Sequence, residues 1–183
     1  MQKRIRFAGL GVLVLALFLS TGLRTAHAVQ IVPSVGLTQS TEGANSQMTL
    51  ALALRQSIVP RVQMELQVGH RSESFDFAGQ SFKVRTIPVT ASVWVSPVPM
   101  LYAGGGVGAY PEVVEYGNNL FPTSNQTQFG AHLGAGTRFS VTPLVGLDLQ
   151  GRYVFLGQQA SGLSSGSFDP SFWQVSAGLV LGL

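Results

Sequence analysis

The sequence contains no cysteine, and charged residues make up only 10% of its 183 residues. The missing cysteine excludes disulfide bonds, a lipid-modified N-terminal cysteine and a thiolate metal site. Beyond the first 28 residues no apolar run approaches the roughly 20 residues that a membrane-spanning helix needs. This excludes a helical membrane protein. The low charge and the 22 glycines argue against an ordinary soluble globule.

Residues 1–28 have the three parts of a secretory signal. A basic start (MQKRIR) precedes an apolar run at residues 7–19, and the segment closes on Ala26-His27-Ala28, a small-residue cleavage pattern. We therefore expect cleavage after Ala28, which leaves residues 29–183 as the mature domain.

The signal also carries much of the positive charge. Of the eleven basic residues, seven remain after cleavage, against eight acidic ones. A mature protein near neutrality gives no support to nucleic-acid binding. The basic residues that leave are Lys3, Arg4, Arg6 and Arg24.

Eight segments of the mature chain alternate apolar side chains with small or polar ones. Period two over about ten residues is a strong indication of a β-strand. Pro88 lies inside the fourth segment and marks a bulge, because proline cannot donate to a strand ladder. The predicted strands are residues 30–38, 47–56, 61–71, 82–95, 100–110, 128–139, 144–155 and 172–183.

Short and long connections alternate along the chain, as in a barrel with one end in the periplasm and the other outside the cell. An even strand count closes the sheet and leaves no edge unpaired in lipid. The sequence thus predicts an all-β fold, an eight-stranded antiparallel up-and-down transmembrane β-barrel of the outer membrane. Three connections share a Ser-x-x-Pro pattern (57–60, 96–99 and 140–143), and four are longer and polar (39–46, 72–80, 111–127 and 156–171).

A soluble lipocalin-like barrel shows similar alternation with its apolar face turned inward. The second face of these strands consists of glycine, alanine, threonine and glutamine, which suits a narrow lumen, so the apolar face should meet lipid. Aromatic residues on that face gather at the outer strand ends and predict an interfacial girdle. They are Phe129, Tyr153, Phe155 and Trp173, with Phe139 at the other end.

The chain resembles the eight-stranded outer membrane protein β-barrel domain family. The resemblance is carried by residues 86–90 (TIPVT), 102–110 (YAGGGVGAY), 129–136 (FGAHLGAG) and 176–179 (SAGL). It implies insertion by the outer-membrane assembly machinery of a Gram-negative-type bacterium, and no cofactor. Family members usually end in phenylalanine, whereas this sequence ends in Leu183 with apolar spacing retained.

Charged residues of the inner face form a candidate site. Arg55 and Glu65 lie on strands two and three, and Arg138, Asp148 and Arg152 lie on strands six and seven, on the opposite wall. The lumen of an eight-stranded barrel is just wide enough for side chains to fill, and ions buried there must pair. One interpretation is a structural plug of salt bridges. The other is a gate in which Glu65 exchanges arginine partners and opens a narrow path for small solutes.

Lys83 and Arg85 share the parity of outward-facing Ile87. At the outer rim they would meet the phosphates of lipopolysaccharide. The alternatives are snorkelling or solvated charges, or a bulge at Pro88 that turns both side chains inward.

His70 and Ser72 form an H-x-S pair at the same rim, similar to the outer-membrane lipid A deacylases. That chemistry needs a carboxylate to orient the histidine, and neither Glu73 nor Asp76 is well placed. His132 is a lone imidazole on the lumen face, without the ligands of a zinc site. We therefore expect no enzyme and no metal.

Recognition is expected in the long outer connections, since loops on a rigid scaffold usually carry it. Candidate contact residues there are Tyr116, Leu120, Phe121 and Phe168. The sequence favours a monomeric outer-membrane barrel with a structural or surface-interaction role that binds no nucleic acid. A narrow channel gated by the lumen charges and, more remotely, a lipid A-modifying enzyme are the alternatives.

Overall fold

The computed structural model describes residues 29–41, 46–77, 80–116, 124–157, 159–160, 167–168 and 171–182. The predicted signal, Leu120, Phe121 and Leu183 lie outside these residues. The strands are β1 (Val29–Ser40), β2 (Ser46–Val59), β3 (Val62–Phe77), β4 (Gln80–Thr86), β5 (Val89–Val98), β6 (Leu101–Tyr116), β7 (Ser124–Ser140), β8 (Val145–Leu156), β9 (Gln159–Ala160), β10 (Ser167–Phe168) and β11 (Phe172–Gly182). No helix that could span a membrane occurs in the described part of the chain.

The large sheet closes into an antiparallel barrel. β1 pairs with both β2 and β11, β11 continues to β8, and β8, β7 and β6 follow in order. β4 and β5 both lie between β3 and β6, so together they form one wall strand. The wall therefore has eight strands, as the sequence predicts, and its backbone polar groups are paired around the circumference.

Wherever side-chain exposure is described, the apolar face of the wall strands points outward. Interior positions carry mostly polar or small side chains, among them the buried Thr38, Thr49, Thr90 and Ser92, together with some large ones such as Trp94 and Phe172. This excludes the lipocalin-like alternative, in which the leucines would fill the lumen, and exposed leucine over a whole barrel surface suits lipid. The exposed apolar belt includes Val35, Leu37, Met48, Leu50, Leu52, Val68, Val93, Val107, Leu133, Leu147, Leu149, Val175 and Leu179.

The outer aromatic girdle is assembled on the exterior as predicted. The ring of Tyr153 packs edge-on against Phe155 at a centroid distance of 4.5 Å and against Trp173 at 4.6 Å. Phe155, Trp173 and Phe129 are exposed. An amphipathic ring at this height is typical of the boundary between hydrocarbon and headgroups.

The tight turns define the inner end of the barrel. β2 and β3 are joined through Pro60 and Arg61, and Arg61 has a φ of 70°. Proline followed by a residue with positive φ is the geometry of a type II turn, in which glycine or asparagine is the usual third residue. The first and last residues that the structure describes, Val29 and Gly182, lie at the same end of the barrel: Val29 pairs with Gln56, and Gly182 pairs with Gln30.

The sequence-based prediction was wrong for two of the outer connections. Much of residues 72–80 and 111–127 is strand: β3 runs to Phe77, β6 runs to Tyr116 and β7 begins at Ser124. Their polarity suggested loops, but a strand that has left the lipid no longer needs an apolar face. A small hairpin of β9 and β10 also lies within the predicted loop 156–171.

These continuations form a four-stranded outer extension of β3, β4, β6 and β7. Pairing of β2 with β3 ends at Thr49–Arg71, and pairing of β7 with β8 ends at Gly130–Leu156. Pairing within the extension continues beyond both points, to Phe77–Gln80 and Val114–Ser124. Among the described residues, the outer parts of β3 and β7 therefore have no partner strand on their far sides.

Pro88 interrupts the fourth wall strand without changing its parity. Gly69 N donates to Pro88 O at 2.8 Å, and Ile87 N donates to Pro111 O at 3.1 Å, so the neighbours still hold the break. Ile87 and Val89, on either side of it, both remain exposed on the exterior. The bulge expected at Pro88 is absent, because β3 and β6 keep one continuous register from β4 to β5, and the residues before Pro88 are not turned inward.

A charge on the exterior belt tests the membrane assignment. Leu52, paired with Pro33 and Val68 in mid-strand, is 52% exposed. In a soluble protein Leu52→Arg would be nearly neutral. In a bilayer we expect it to lower the free energy of unfolding by about 2–4 kcal/mol, and Met48→Arg near the outer end by about 0–1 kcal/mol. Urea unfolding in lipid vesicles measures both, and equal effects at the two positions would contradict a membrane-embedded belt.

Candidate functional site

Strand register brings the predicted interior charges together as two facing pairs. Arg55 on β2 lies directly opposite Glu65 on β3, and Arg138 on β7 lies directly opposite Asp148 on β8. Arg152 is the next residue on β8 after Gln150 whose side chain faces the lumen. Because the barrel is narrow, the side chains of the two walls meet in the lumen. We refer to Arg55, Glu65, Arg138, Asp148 and Arg152 as the interior ion network.

Arg55 is the centre of the network. Its Nε donates to Glu65 Oε2 on the neighbouring strand, and its Nη1 donates to Asp148 Oδ2 on the opposite wall. Arg55 is 2% exposed and Glu65 is 1% exposed. One guanidinium therefore joins both carboxylates and ties the two walls of the barrel, using the fork geometry in which arginine differs from lysine.

Glu65 is shared between two arginines. Its second oxygen, Oε1, accepts from Arg152 Nη2 at 2.5 Å. Arg152 is positioned in turn by Gln150, whose Oε1 accepts from Arg152 Nε at 2.6 Å. Both oxygens of this buried carboxylate are thus engaged in charge-assisted hydrogen bonds.

Arg138 closes the network toward the inner end. Its Nε lies 3.5 Å from Asp148 Oδ2, and its two Nη atoms donate to Gln30 and Gln63 at 3.1 Å each. Gln30 and Gln63 lie on β1 and β3, so Arg138 reaches across the lumen. Its side chain is 18% exposed, against 4% for Asp148, which places it nearest the inner mouth.

Two aromatic residues belong to the site although the sequence analysis did not select them. Tyr102 Oη donates to Asp148 Oδ1 at 2.5 Å and accepts from Gln150 Nε2 at 3.1 Å. The Arg152 guanidinium lies 5.1 Å from the Trp94 ring centroid, within cation–π range. Their inward parity was readable from the sequence, but nothing in it indicated which charges they would meet.

Glycine makes room for these rings. A Cβ on Gly136 would lie 2.4 Å from Tyr102 Oη, and a Cβ on Gly134 would lie 3.3 Å from Trp94 Cη2. The glycines on the lumen faces of β6 and β7 therefore leave the volume that the side chains of Tyr102 and Trp94 occupy. A crowded lumen, expected from the glycine content, is what the structure contains.

Small cavities adjoin the network. One of about 20 Å³ lies on its outer side, and one of about 10 Å³ lies among the network residues themselves, each large enough only for a water molecule or small ion. A buried, mutually paired set of three arginines and two carboxylates favours the structural plug over the gate.

His132 lies on the lumen face as predicted and is 1% exposed. Its Nε2 is 2.9 Å from Ser92 Oγ, while its Nδ1 has no hydrogen-bond partner among the described residues. No group of three metal-ligating residues occurs in the part of the chain that the structure describes.

The residues predicted to contact lipopolysaccharide lie on β4. Arg85 is exposed on the exterior, opposite Ser72 and Val113. The alternative in which a bulge turns it inward is therefore wrong for Arg85. For Lys83 only the backbone position is described, opposite Ser74 and Glu115.

The remaining sequence candidates are not brought into one site. Tyr116 is the last residue of β6 and Phe168 belongs to β10, so both lie on strands rather than in open loops. His70 is exposed on the exterior. For Glu73 and Asp76, the two carboxylates nearest in sequence, only the backbone positions on β3 are described, opposite Val84 and Ser81.

Solved structures share this fold at low sequence identity. Neisserial surface protein A is 16% identical with a TM-score of 0.58, over 87% of this chain and 98% of that one. Ail, the attachment invasion locus protein of Yersinia pestis, is 12% identical with a TM-score of 0.57, over 86% and 97%. A major outer membrane protein from Thermus thermophilus is 14% identical with a TM-score of 0.66, over 87% and 100%. No family model and no curated protein sequence matches the chain.

These similarities show the fold class. The chain folds as a small eight-stranded outer-membrane-type β-barrel, the architecture of the family that its glycine-rich motifs resemble. The neighbours support a place in the outer membrane of a Gram-negative-type bacterium.

Removing the shared carboxylate tests the plug. Glu65→Gln leaves Arg55 and Arg152 without their common counter-ion, and breaking a buried pair in this way costs about 3–5 kcal/mol of unfolding free energy. Urea unfolding of the refolded protein measures the loss. The double variant Glu65→Gln/Arg152→Met should recover part of it, because one uncompensated charge is removed as well. A Glu65→Gln protein as stable as wild type would show that the network does not hold the barrel together.

Proposed function

We propose that this protein is a monomeric, non-enzymatic barrel of the outer membrane with a surface-interaction role carried by its outer extension. It is exported through the periplasm by the signal at residues 1–28 and inserted by the outer-membrane assembly machinery. The observation that carries the proposal is the continuation of β3, β4, β6 and β7 beyond the closed barrel. The paired charges of the interior ion network support it, since a plugged barrel leaves the outer end as the place for recognition.

The extension offers backbone groups for pairing. Strands at a sheet edge present a row of N–H and C=O groups that another chain can join, and natural proteins usually protect such edges. The outer parts of β3 and β7 are edges of this kind among the described residues. An extended segment of a partner protein, added as a further strand, is the interaction that this geometry suits best.

The net charge of the outer end limits which kind of partner protein can bind there. Beyond the lipid belt the sequence has more carboxylates than basic residues, which disfavours a polyanionic partner and favours a neutral or basic one. Ail was crystallised in complex with a heparin analogue, and at 12% identity that ligand is not transferred to this chain. Among the residues that the structure describes there, the acidic ones are Glu73, Asp76, Glu112 and Glu115, and the basic ones are Arg71, Lys83 and Arg85.

A channel gated by Glu65 is the alternative that the same interior residues allow. The observed contacts favour the plug, because both oxygens of Glu65 are engaged and opening would leave two buried arginines unpaired. The wild-type protein should therefore be silent in planar bilayers. Discrete openings that change in Glu65→Gln would favour the channel instead.

Shortening the extension tests the surface role. Residues 74–83 and 114–124 are each replaced by an Asn-Gly turn, which leaves the barrel strands intact. We expect the variant to refold like wild type, while its proteoliposomes lose binding to an array of extended basic peptides. N-methylated copies of the same peptides are the matched control, because they keep the side chains but cannot pair as strands. Equal binding by the shortened variant would locate the interaction elsewhere.

The exterior of β4 is proposed to contact lipopolysaccharide. Arg85 faces outward at the outer rim, where a guanidinium can donate to a phosphate in bidentate fashion. We expect Arg85→Gln to lower the urea midpoint in vesicles that contain lipopolysaccharide and to leave it unchanged in phosphatidylcholine vesicles. Lys83→Gln, with the same parity, should do the same, and an equal loss in both lipids would contradict a lipopolysaccharide contact.

A further inference from the structure

A second polar site lies inside the barrel, on the outer side of the interior ion network. It is the cavity of about 20 Å³ described above, here called the outer chamber, and its wall includes Thr90, Tyr110, His132 and Arg152. Neither the plug nor the surface role uses the first three of these residues.

Three polar atoms in the wall of this chamber are buried without a partner. Thr90 Oγ1, Tyr110 Oη and His132 Nδ1 have no hydrogen bond within the described residues, and the three side chains are 6%, 2% and 1% exposed. Leaving such a group unsatisfied costs about 1–3 kcal/mol each. Three of them around one cavity indicate that the cavity normally holds something that they bind.

All three atoms can act as donors. The hydroxyls of Thr90 and Tyr110 each carry a proton. His132 Nε2 lies 2.9 Å from Ser92 Oγ. If the Ser92 hydroxyl donates to Nε2, the neutral imidazole carries its proton on Nδ1, facing the chamber. A set of donors without a free carboxylate favours an anion over a cation.

The charge around the chamber also favours an anion. Arg152 borders the chamber, and the interior ion network combines three arginines with two carboxylates, a surplus of positive charge. Charge interactions are strong away from bulk water. The small volume excludes any organic anion and leaves an ion close to water in size.

Backbone packing holds the donors in place. Thr90 lies opposite Gly108 in the strand register. A Cβ on Gly108 would lie 2.7 Å from Thr90 Cγ2 and 3.1 Å from Tyr110 Cε2. Glycine at this position therefore keeps the two hydroxyl-bearing side chains side by side. Tyr110 also packs with Val154, Leu156 and Phe172 in an apolar cluster.

We propose that the outer chamber binds a small inorganic anion of the halide type, with chloride as the physiological candidate, held by Thr90, Tyr110 and His132 beside Arg152. The proposal is independent of the surface role.

Refolding in different salts tests the site. The full mature protein is refolded and unfolded in urea with sodium chloride, sodium bromide or sodium gluconate at equal ionic strength. A ligand that binds only the folded state raises its stability, so we expect a higher urea midpoint in both halides, saturating with concentration. Crystals grown in bromide should give an anomalous peak in the chamber.

Two variants make the result specific. Thr90→Val/Tyr110→Phe removes two donors without changing shape, so it should lose the halide effect and the bromide peak. In gluconate it should be at least as stable as wild type, because two unsatisfied groups are gone. Thr38→Val is the matched control: Thr38 is 2% exposed in the lumen, outside the chamber wall, and this variant should keep the halide effect.

Each contrary outcome overturns the proposal. Equal midpoints in halide and gluconate, with no bromide peak, would mean that the chamber holds water only. A halide effect that persists in Thr90→Val/Tyr110→Phe would place the ion at another site.

Discussion

A bilayer offers no water to the backbone, so every peptide group that crosses it must be paired within the protein. The rest of this structure depends on that constraint. It forces β1 to meet β11 and close the wall, and closure at eight strands leaves a lumen only as wide as its own side chains. The same constraint ends at the membrane surface, which is why the strands are free to continue beyond it with edges that no described strand covers.

The narrow lumen reverses the usual arrangement of a protein core. Leucine and valine face lipid, and the space that they would fill elsewhere contains ions, amides and aromatic rings. Such an interior is stable only when its polar atoms satisfy one another, and Arg55 achieves most of this by joining Glu65 and Asp148 across the barrel. Glycines on β6 and β7 are the counterpart of the large side chains, since the volume that they leave is occupied by Tyr102 and Trp94.

Period two is what made the barrel predictable from sequence. It assigns each residue of a strand to lipid or lumen, and it correctly placed Arg55, Glu65, Arg138, Asp148 and Arg152 on the inside. Parity does not give the relative height of opposite walls, so the hydrogen bonds of Tyr102 and the stacking of Trp94 on Arg152 were out of reach. The outer extension was missed for a different reason: once strands leave lipid, a polar sequence such as residues 72–77 no longer distinguishes strand from loop.

An unpaired polar group has different consequences in the lumen of the barrel and in the outer extension. Inside the barrel an unpaired donor is costly, so the unpartnered atoms of Thr90, Tyr110 and His132 are an argument for a ligand in the outer chamber. Outside the membrane an unpaired strand edge is solvated at little cost and becomes available for a partner. An interior whose charges pair with one another and an outer extension whose edges, among the described residues, lack a partner strand are therefore consistent with the proposed role: the interior provides rigidity, and the outer end provides the surface on which recognition can take place.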